Sequence, residues 1–489
     1  MKIKKDYSSD IEYKFKQFCD IEKSLGIFEH TIRGVLIWKV IRRIVWTKLS
    51  STDKKKISLD GINNFALKTV CNVAKLVIKF IEASYFTKNN QKKFYQYPYL
   101  FYGPGTGRRK LANDGLYWDI YCDPIIDVIS AKNCLLIEQV ANEDDYKLVS
   151  LKTRNIFAKR AISMSFLDAL IGVFSVLFVR KEELLPLRDI ECEIKTKIQP
   201  CIDTRSIAKK YLILFVATRR YWIRFLKKQQ PKLIFVVCSY GKEAFISAAK
   251  TLSIPVIELQ HGIINKIHDG YSFPDGIRDD YFPDYLFLYG KLWKEMTFIP
   301  LERDRIIPIG NPWFELMKPA YQSAFVKKKQ ILFISQPTIG AELSQYAARL
   351  RSLIPEDWKI LYKLHPSETC DWKDVYFDLD TDGIDVIEES NVDLYKLQTE
   401  SEIQVGVYSS ALYEGVVLGC RTFIIELEGW QHVLQLIEGG IATKVSDCSD
   451  IRLSVKKNSK KDTTKFEQDI FSADWQSNLK KALKNILAV

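Results

Sequence analysis

The chain has 489 residues, of which 47% are hydrophobic and 27% charged, with 22 glycines and 16 prolines. At roughly 150 residues per domain this allows about three folding units with a sizeable core, and the balance excludes collagen-like, low-complexity and largely disordered chains. Lys and Arg number 72 against 60 Asp and Glu, a net charge of +12 that suits a phosphorylated or polyanionic partner.

Residues 1–93 read as a mostly helical segment. Within it, residues 32–46 (IRGVLIWKVIRRIVW) mix large apolar residues with Arg33, Lys39, Arg42 and Arg43, the composition of a basic helix resting on a membrane surface; a core helix with one solvated stripe has the same pattern. From residue 97 short apolar runs alternate with helical stretches. The first series of strands is predicted at 97–102, 133–139, 233–238, 256–260 and 285–289, with helix over much of 189–229. Residues 161–179 (AISMSFLDALIGVFSVLFV) are about long enough to span a bilayer, but Asp168 near their centre argues for a buried helix, with a membrane-resting face as the alternative. A second series follows at 330–335, 359–364, 385–387, 403–407 and 421–425, with helices at 340–353 and 411–418. Strands apolar on both faces, separated by helices, predict a parallel sheet covered on both sides. The break between the series falls near 312–329. The expected fold is α/β: two facing, doubly wound, Rossmann-like domains at 94–318 and 319–450, a helical N-terminal segment at 1–93 and a helical tail at 451–489.

Ten cysteines form no Cys-x-x-Cys pair, so a zinc knuckle is not expected and the thiols read as reduced and cytoplasmic. The basic runs Lys54 to Lys56, Lys327 to Lys329 and Lys456 to Lys461 are short and lack interleaved aromatics, so no nucleic-acid partner is expected. Asp380-Thr381-Asp382 before Gly383 reads as a surface turn rather than a metal site.

Two of the five histidines stand directly after predicted strands, where α/β enzymes place functional groups. Gln260-His261-Gly262 ends one; Lys363-Leu364-His365-Pro366 ends the other. A neutral imidazole can take a proton from a hydroxyl or hydrogen-bond a phosphate, and Gly262 would allow a tight turn and close ligand approach. Tyr408-Ser409-Ser410 leads from a strand into a helix carrying Glu414. Small hydroxyl residues there leave N–H groups for an anion, and Glu414 lies one turn further in, within reach of a ribose. Other polar clusters are Gly103 to Gly107 with Arg108 and Arg109, as partners for an acceptor phosphate; Asn113-Asp114-Gly115, with Asp114 as a competing base; His268, close in sequence to His261; and Glu428 to His432, which follows a late strand.

Gln260-His261-Gly262, His365-Pro366 and Tyr408-Ser409-Ser410 with Glu414 resemble the two-domain (GT-B-type) transferases of bacterial surface polysaccharides. The His-Gly and His-Pro pair is similar to that of the CDP-glycerol glycerophosphotransferases of teichoic acid synthesis. The His-Pro and Ser-Ser elements resemble capsule sialyltransferases and Kdo transferases that use CMP-activated sugars. The resemblance covers about residues 230–445 and departs from the glycerophosphotransferases at Ile263-Ile264-Asn265-Lys266, which tilts the donor towards a sugar. It implies a metal-independent glycosyltransferase without a cofactor, moving a sugar from a nucleotide donor to a growing capsule, O-antigen or lipopolysaccharide chain, with a lipid-linked or glycan acceptor and contact with the anionic inner face of the cytoplasmic membrane. His261 would be the general base or a phosphate-facing group. His365 with Pro366 and Lys363, and Ser409 with Ser410, would hold the donor phosphate, and Glu414 the ribose. A polyol-phosphate transferase, a nucleotide-sugar 2-epimerase and a non-catalytic glycan-assembly protein are the alternatives.

Overall fold

Apolar runs bounded by turn residues become two parallel sheets. The computed structural model describes residues 7–50, 96–104, 108–110, 115–139, 152–153, 156–159, 166–322, 326–368, 372–388, 392–456 and 464–488. Before the first sheet come helices α1 (Tyr7–Ser24) and α2 (Ile37–Ser50), joined through a two-stranded ribbon at 31–36.

The first sheet contains β1 (Tyr99–Tyr102), β2 (Cys134–Gln139), β3 (Ile156–Lys159), β4 (Leu233–Val237), β5 (Val256–Leu259), β6 (Tyr285–Leu288) and β7 (Ile306–Pro308). The second contains β8 (Lys328–Ile334), β9 (Lys359–Lys363), β10 (Ile384–Ile387), β11 (Ser401–Gly406), β12 (Arg421–Ile425) and β13 (Ala442–Val445). All pairs within both sheets are parallel. Their spatial orders are β3-β2-β1-β4-β5-β6-β7 and β10-β9-β8-β11-β12-β13. Each therefore winds outward from its first strand in one direction and then in the other. The direction reverses between β1 and β4, and between β8 and β11, and such sheets bind ligands beyond the strand ends at that reversal. The expected two-domain α/β architecture is the one observed.

Central strands are apolar on both faces because both faces are covered. In β1, Leu100 and Tyr102 join Trp222 and Phe245 on one side, while Phe101 joins Phe235 and Ile126 on the other. The last helix, α6 (Trp475–Leu487), is no free tail. Its Trp475, Leu479 and Ile486 enter the core of the first sheet, so the chain crosses back to the first domain after completing the second. The inner face of the second sheet is continuous with the first domain through one apolar cluster that includes Leu332, Leu412, Tyr413 and Trp293. Tyr413, on α5 (Ala411–Val417), meets Trp293 of the first domain with ring centroids 4.7 Å apart.

Two membrane expectations change. Helix α2 is a core helix: Trp38, Ile41 and Val45 are fully buried, and Lys39 and Arg42 turn inward with them while Arg43 stays exposed. Arg42 forms two bonds with buried Glu22, Nε to Oε1 at 2.6 Å and Nη2 to Oε2 at 3.0 Å. Trp38 donates to the same carboxylate at 2.7 Å. Apolar area already buried in protein is not offered to lipid. In the 161–179 stretch, the described helix α3 (Phe166–Leu177) packs on α4 (Thr204–Gln229) so closely that a methyl group on Gly172 would lie 2.6 Å from the Ile213 carbonyl. Asp168 is buried there, paired with Arg220 at 3.4 Å and with Arg224. Only one face of α3 is covered, however; Leu167, Phe174, Leu177 and Phe178 are exposed. No helix among the described residues is long and apolar enough to cross a membrane.

Breaking a buried ion pair from one side leaves a charge without compensation, at a cost of about 3–5 kcal/mol. Glu22→Ala should therefore shift the urea midpoint of unfolding strongly downward. A change below about 1 kcal/mol would mean that the pair contributes little to holding α1 and α2 together.

Candidate active site

Residues at the carboxyl end of the first sheet form a hydrogen-bonded cluster. Strand β4 runs into a turn with Cys238 at φ 63° and Gly241 at φ 81°, and this turn presents Tyr240 beside β5. The strand β5 continues into Gln260 and His261. Tyr240 Oη lies 2.9 Å from His261 Nε2, and Tyr271 Oη lies 3.2 Å from His261 Nδ1. Tyr271 also donates to Glu258 Oε1 at 2.6 Å, and the Ser239 N–H donates to the same oxygen at 2.8 Å. Glu258 is fully buried in the middle of β5. The N-terminal helices brace this cluster. Arg43 sits over the Tyr240 ring, 3.7 Å from its centroid, and Arg42 donates to the Asp269 carbonyl at 2.5 Å. A side chain on Gly270 would collide with Tyr240, so this position has room only for glycine.

Burial dominates the electrostatics. It pushes His261 down to about 4, helped by the Lys242 and Arg43 cations. His268 is pushed down to about 3 by burial, with His261, Arg43 and His432 adding to the effect. Lys242 is itself pulled below its ordinary value by burial, its ammonium donating to the Val237 and Cys238 carbonyls at 2.8 Å each. Both imidazoles are therefore neutral near pH 7.

The carboxyl end of the second sheet is richer in hydroxyls. At its reversal point the Thr338 and Tyr408 hydroxyls are hydrogen-bonded to each other. Ser409 Oγ accepts from the Ala411 N–H at 3.3 Å at the start of α5, while Ser410, the N-cap residue, is exposed and makes no side-chain cap bond. His365 is exposed, with Nδ1 2.7 Å from Ser367 Oγ and its N–H donated to Glu368 Oε2 at 2.6 Å. Pro366 is exposed beside it. Lys363 is buried, its ammonium donating to the Leu364 carbonyl at 3.0 Å. Glu414 accepts from Tyr395 at 3.0 Å, and its charge helps raise Tyr289 of the first domain, whose shift is dominated by burial. Lys363 and Glu414 are thus engaged in the protein rather than turned to a phosphate or ribose.

The two edges meet through Asn265 of the first domain. Its Nδ2 lies 3.0 Å from His432 Nδ1 and donates to the His432 carbonyl at 3.1 Å. The His432 ring lies 5.8 Å from that of Tyr408, centroid to centroid. His432 is close enough to His268 for its charge to depress it. His268 of the first domain therefore feels the charge of His432 of the second, while no hydrogen bond or ring contact joins His261 to His365 among the described residues.

Other expected residues separate. Gln260 is buried, its amide donating to the Gly262 carbonyl at 2.8 Å and accepting from the Tyr289 N–H at 2.7 Å, so it ties strand ends together. Gly262 is outside the left-handed region and a methyl group there would meet nothing within 4 Å, so the turn does not require glycine. Arg108 and Arg109 lie on a short ribbon paired with Tyr117–Asp119, with Arg108 opposite Asp119. Asp114 and residues 105–107 lie outside the described residues. Asp380-Thr381-Asp382 forms the expected surface turn before Gly383 at φ 85°, and no metal-holding cluster is found among the described residues. Sequence reasoning missed Tyr240, Tyr271, Glu258 and Arg43.

No family model and no curated protein matches the sequence. Among solved structures, similarity is found to CalG4, the calicheamicin glycosyltransferase, at 12% identity over 81% of this chain and 99% of that chain, TM-score 0.46. The S. aureus MnaA–UDP co-structure gives 12% identity over 81% and 97% of the two chains, TM-score 0.46. The Methanocaldococcus jannaschii UDP-GlcNAc 2-epimerase in complex with UDP-GlcNAc and UDP gives 13% over 79% and 99%, TM-score 0.45. Likeness at this level carries no argument about the reaction.

Neutral, half-buried histidines make stability pH-dependent. The unfolded chain binds protons near pH 6.5, while folded His261 and His268 do so only near 4 and 3. Between those values the unfolded state holds more protons, so stability falls as pH drops, by up to about 1.4 kcal/mol per pH unit per histidine. His268→Asn should flatten the dependence of the denaturation midpoint between pH 6.5 and 4; an unchanged slope would show that His268 titrates normally.

Proposed function

We propose that the protein is a glycosyltransferase that moves a sugar from a nucleotide-activated donor to a hydroxyl of a growing surface glycan. The observation that carries this reading is the meeting of two sheet-reversal edges. One bears neutral His261 inside a tyrosine cluster; the other bears exposed His365, Pro366 and Ser410 with half-buried Ser409. A donor phosphate held at the second edge by His365 and the two serines would leave its sugar facing the first. The acceptor hydroxyl then attacks the anomeric carbon, the nucleotide leaves with the electron pair of the broken carbon–oxygen bond, and neutral His261 takes the hydroxyl proton.

A ligand that binds only the folded form raises the melting temperature. With CMP, CDP, UDP and GDP as probes, one nucleotide should raise that of the wild type and lose most of its effect in His365→Ala. Absence of a shift with all four would overturn the donor site. The donor should be consumed only when a glycan acceptor is present. Conversion of donor alone would favour a 2-epimerase, and reaction with CDP-glycerol a polyol-phosphate transferase.

We also propose that this enzyme works against an anionic membrane. Support comes from α3, where exposed Leu167, Phe174, Leu177 and Phe178 are followed by exposed Arg180 and Lys181 and flanked by the half-exposed guanidinium groups of Arg220 and Arg224. Apolar side chains rimmed by cations suit an anionic lipid surface. Vesicles containing phosphatidylglycerol should retain the wild type at low salt and release the Phe174→Ser/Phe178→Ser variant; equal binding of both would refute this surface.

A further inference from the structure

Glu258 is a carboxyl group in the middle of a parallel strand, where burial penalises it heavily. Two donors converge on one of its oxygens: the Ser239 N–H at 2.8 Å and the Tyr271 O–H at 2.6 Å. Its second oxygen has no hydrogen-bond partner among the described residues. Whether or not that second oxygen carries a proton, Oε1 remains an acceptor. The one hydrogen of the Tyr271 hydroxyl is therefore committed to Glu258, and only lone pairs are left for the contact at 3.2 Å with His261 Nδ1. Nδ1 must then carry a hydrogen. A neutral imidazole has only one, so Nε2 presents its lone pair, and the Tyr240 hydroxyl 2.9 Å away donates to it.

We propose that Glu258, acting through Tyr271, is a positioning residue that fixes the tautomer of His261 so that Nε2, the nitrogen facing Tyr240 at the sheet reversal, is the basic one. This rests on His261 being the base of the transfer reaction. Without the Glu258 anchor, Tyr271 is free to donate to Nδ1, the hydrogen moves to Nε2, and the nitrogen facing Tyr240 becomes a donor that cannot take a proton. In the reaction the acceptor hydroxyl gives its proton to Tyr240 Oη while Tyr240 passes its own to Nε2. The acceptor O–H bond breaks as a new Tyr240 O–H bond forms, the old Tyr240 O–H bond breaks as Nε2–H forms, the acceptor oxygen bonds to the anomeric carbon, and the nucleotide leaves with the former bonding pair. The resulting imidazolium keeps its Nδ1–H on Tyr271. Tyr240 is held in place by the Arg43 guanidinium on its ring and by Gly270. The other titratable groups bearing on His261 are Lys242 and His268, with Cys238 and Asp269 next to Tyr240 and Arg43, and His432 beyond His268.

The test uses full-length protein labelled with 15N and long-range 1H–15N spectra of the histidine rings, with His261 assigned from its loss in His261→Asn. Wild type should show His261 as a single tautomer protonated on Nδ1. Tyr271→Phe should lose that single form. Glu258→Gln should keep it, because the amide oxygen still accepts from Tyr271 and Ser239. The two tyrosines should also move the His261 titration in opposite directions. Tyr271→Phe removes an acceptor that favours the imidazolium and lowers the midpoint; Tyr240→Phe removes a donor that favours the neutral ring and raises it. Transfer by folded Tyr271→Phe should lose kcat with little change in donor KM. An Nε2-protonated wild type, an unchanged tautomer in Tyr271→Phe, or shifts of one sign in both tyrosine variants would overturn the proposal. If the spectra behave as expected while His261→Asn transfers sugar normally, the tautomer assignment stands and the assignment of His261 as base falls.

Discussion

A guanidinium with almost no exposure ties the N-terminal helices to the segment that carries the histidines. Arg42 is bonded to Glu22, reaches the Asp269 carbonyl and lies over the ring of Phe273 at 4.6 Å, with Phe15, Phe18 and Phe28 around it. Taking both charges out of water is expensive, and the attraction between them offsets this only when geometry and additional hydrogen bonds are good. Here the bonds from Arg42 and Trp38 to Glu22 and the bond from Arg42 to a carbonyl meet that condition. The same turn of α2 carries Arg43, which fixes Tyr240 and pairs with Asp269 at 3.7 Å. Specific placement of the residues at the end of β4 and after β5 thus depends on a helix that belongs to neither sheet.

The contact between the domains is of two kinds. On one side, Trp293 and Tyr413 belong to a single apolar cluster that spans both sheets. At the strand ends the contact is also polar, with Asn265 reaching His432 beside Ile264, Ile267 and Val433 of the same apolar cluster. Relative motion of domains is the default unless the interface between them is large and apolar, and here the apolar cluster extends to the strand ends.

Central strands were legible because burial on both faces demands uninterrupted apolar residues, as in Leu233–Val237. The strands of the two large sheets that sequence reading missed are Ile156–Lys159, Ile306–Pro308 and Ala442–Val445. All three stand at sheet edges, where burial on both faces is not demanded, and Ala442–Val445 accordingly carries exposed Thr443 and Lys444. Helix α2 was legible as a helix, with membrane-surface and core readings both open. Its Lys39 and Arg42 looked like part of a solvated stripe, and only their three-dimensional partners, the Arg278 carbonyl and Glu22, reveal that they point inward. His261 was found because a histidine directly after a strand is unusual. Tyr240, Tyr271 and Glu258 were not, since tyrosine and a glutamate inside an apolar run carry no spacing rule; their roles exist only once β4, β5 and the 261–282 segment lie side by side. His365 was correctly set at a strand end, but nothing in the sequence says that Asn265 is the residue that reaches His432 of the other domain.

The cluster around His261 is assembled from groups that do not favour folding. Glu258 has an oxygen without a partner, His261 and His268 titrate well below their ordinary values, Lys242 is half-buried and pulled below its ordinary value, and Cys238 occupies a left-handed backbone conformation. Each costs free energy relative to an apolar residue in a relaxed turn. The costs are concentrated at one sheet edge, while apolar burial is spread over both sheets, α1, α2 and α6. Such segregation is expected where a local environment is shaped by chemistry rather than by stability. It also explains why α2 must be rigid: a cluster that is unfavourable on its own persists only if the surrounding packing leaves its members no alternative positions, and the neighbouring Arg42 and Arg43 impose that restriction from outside the sheet.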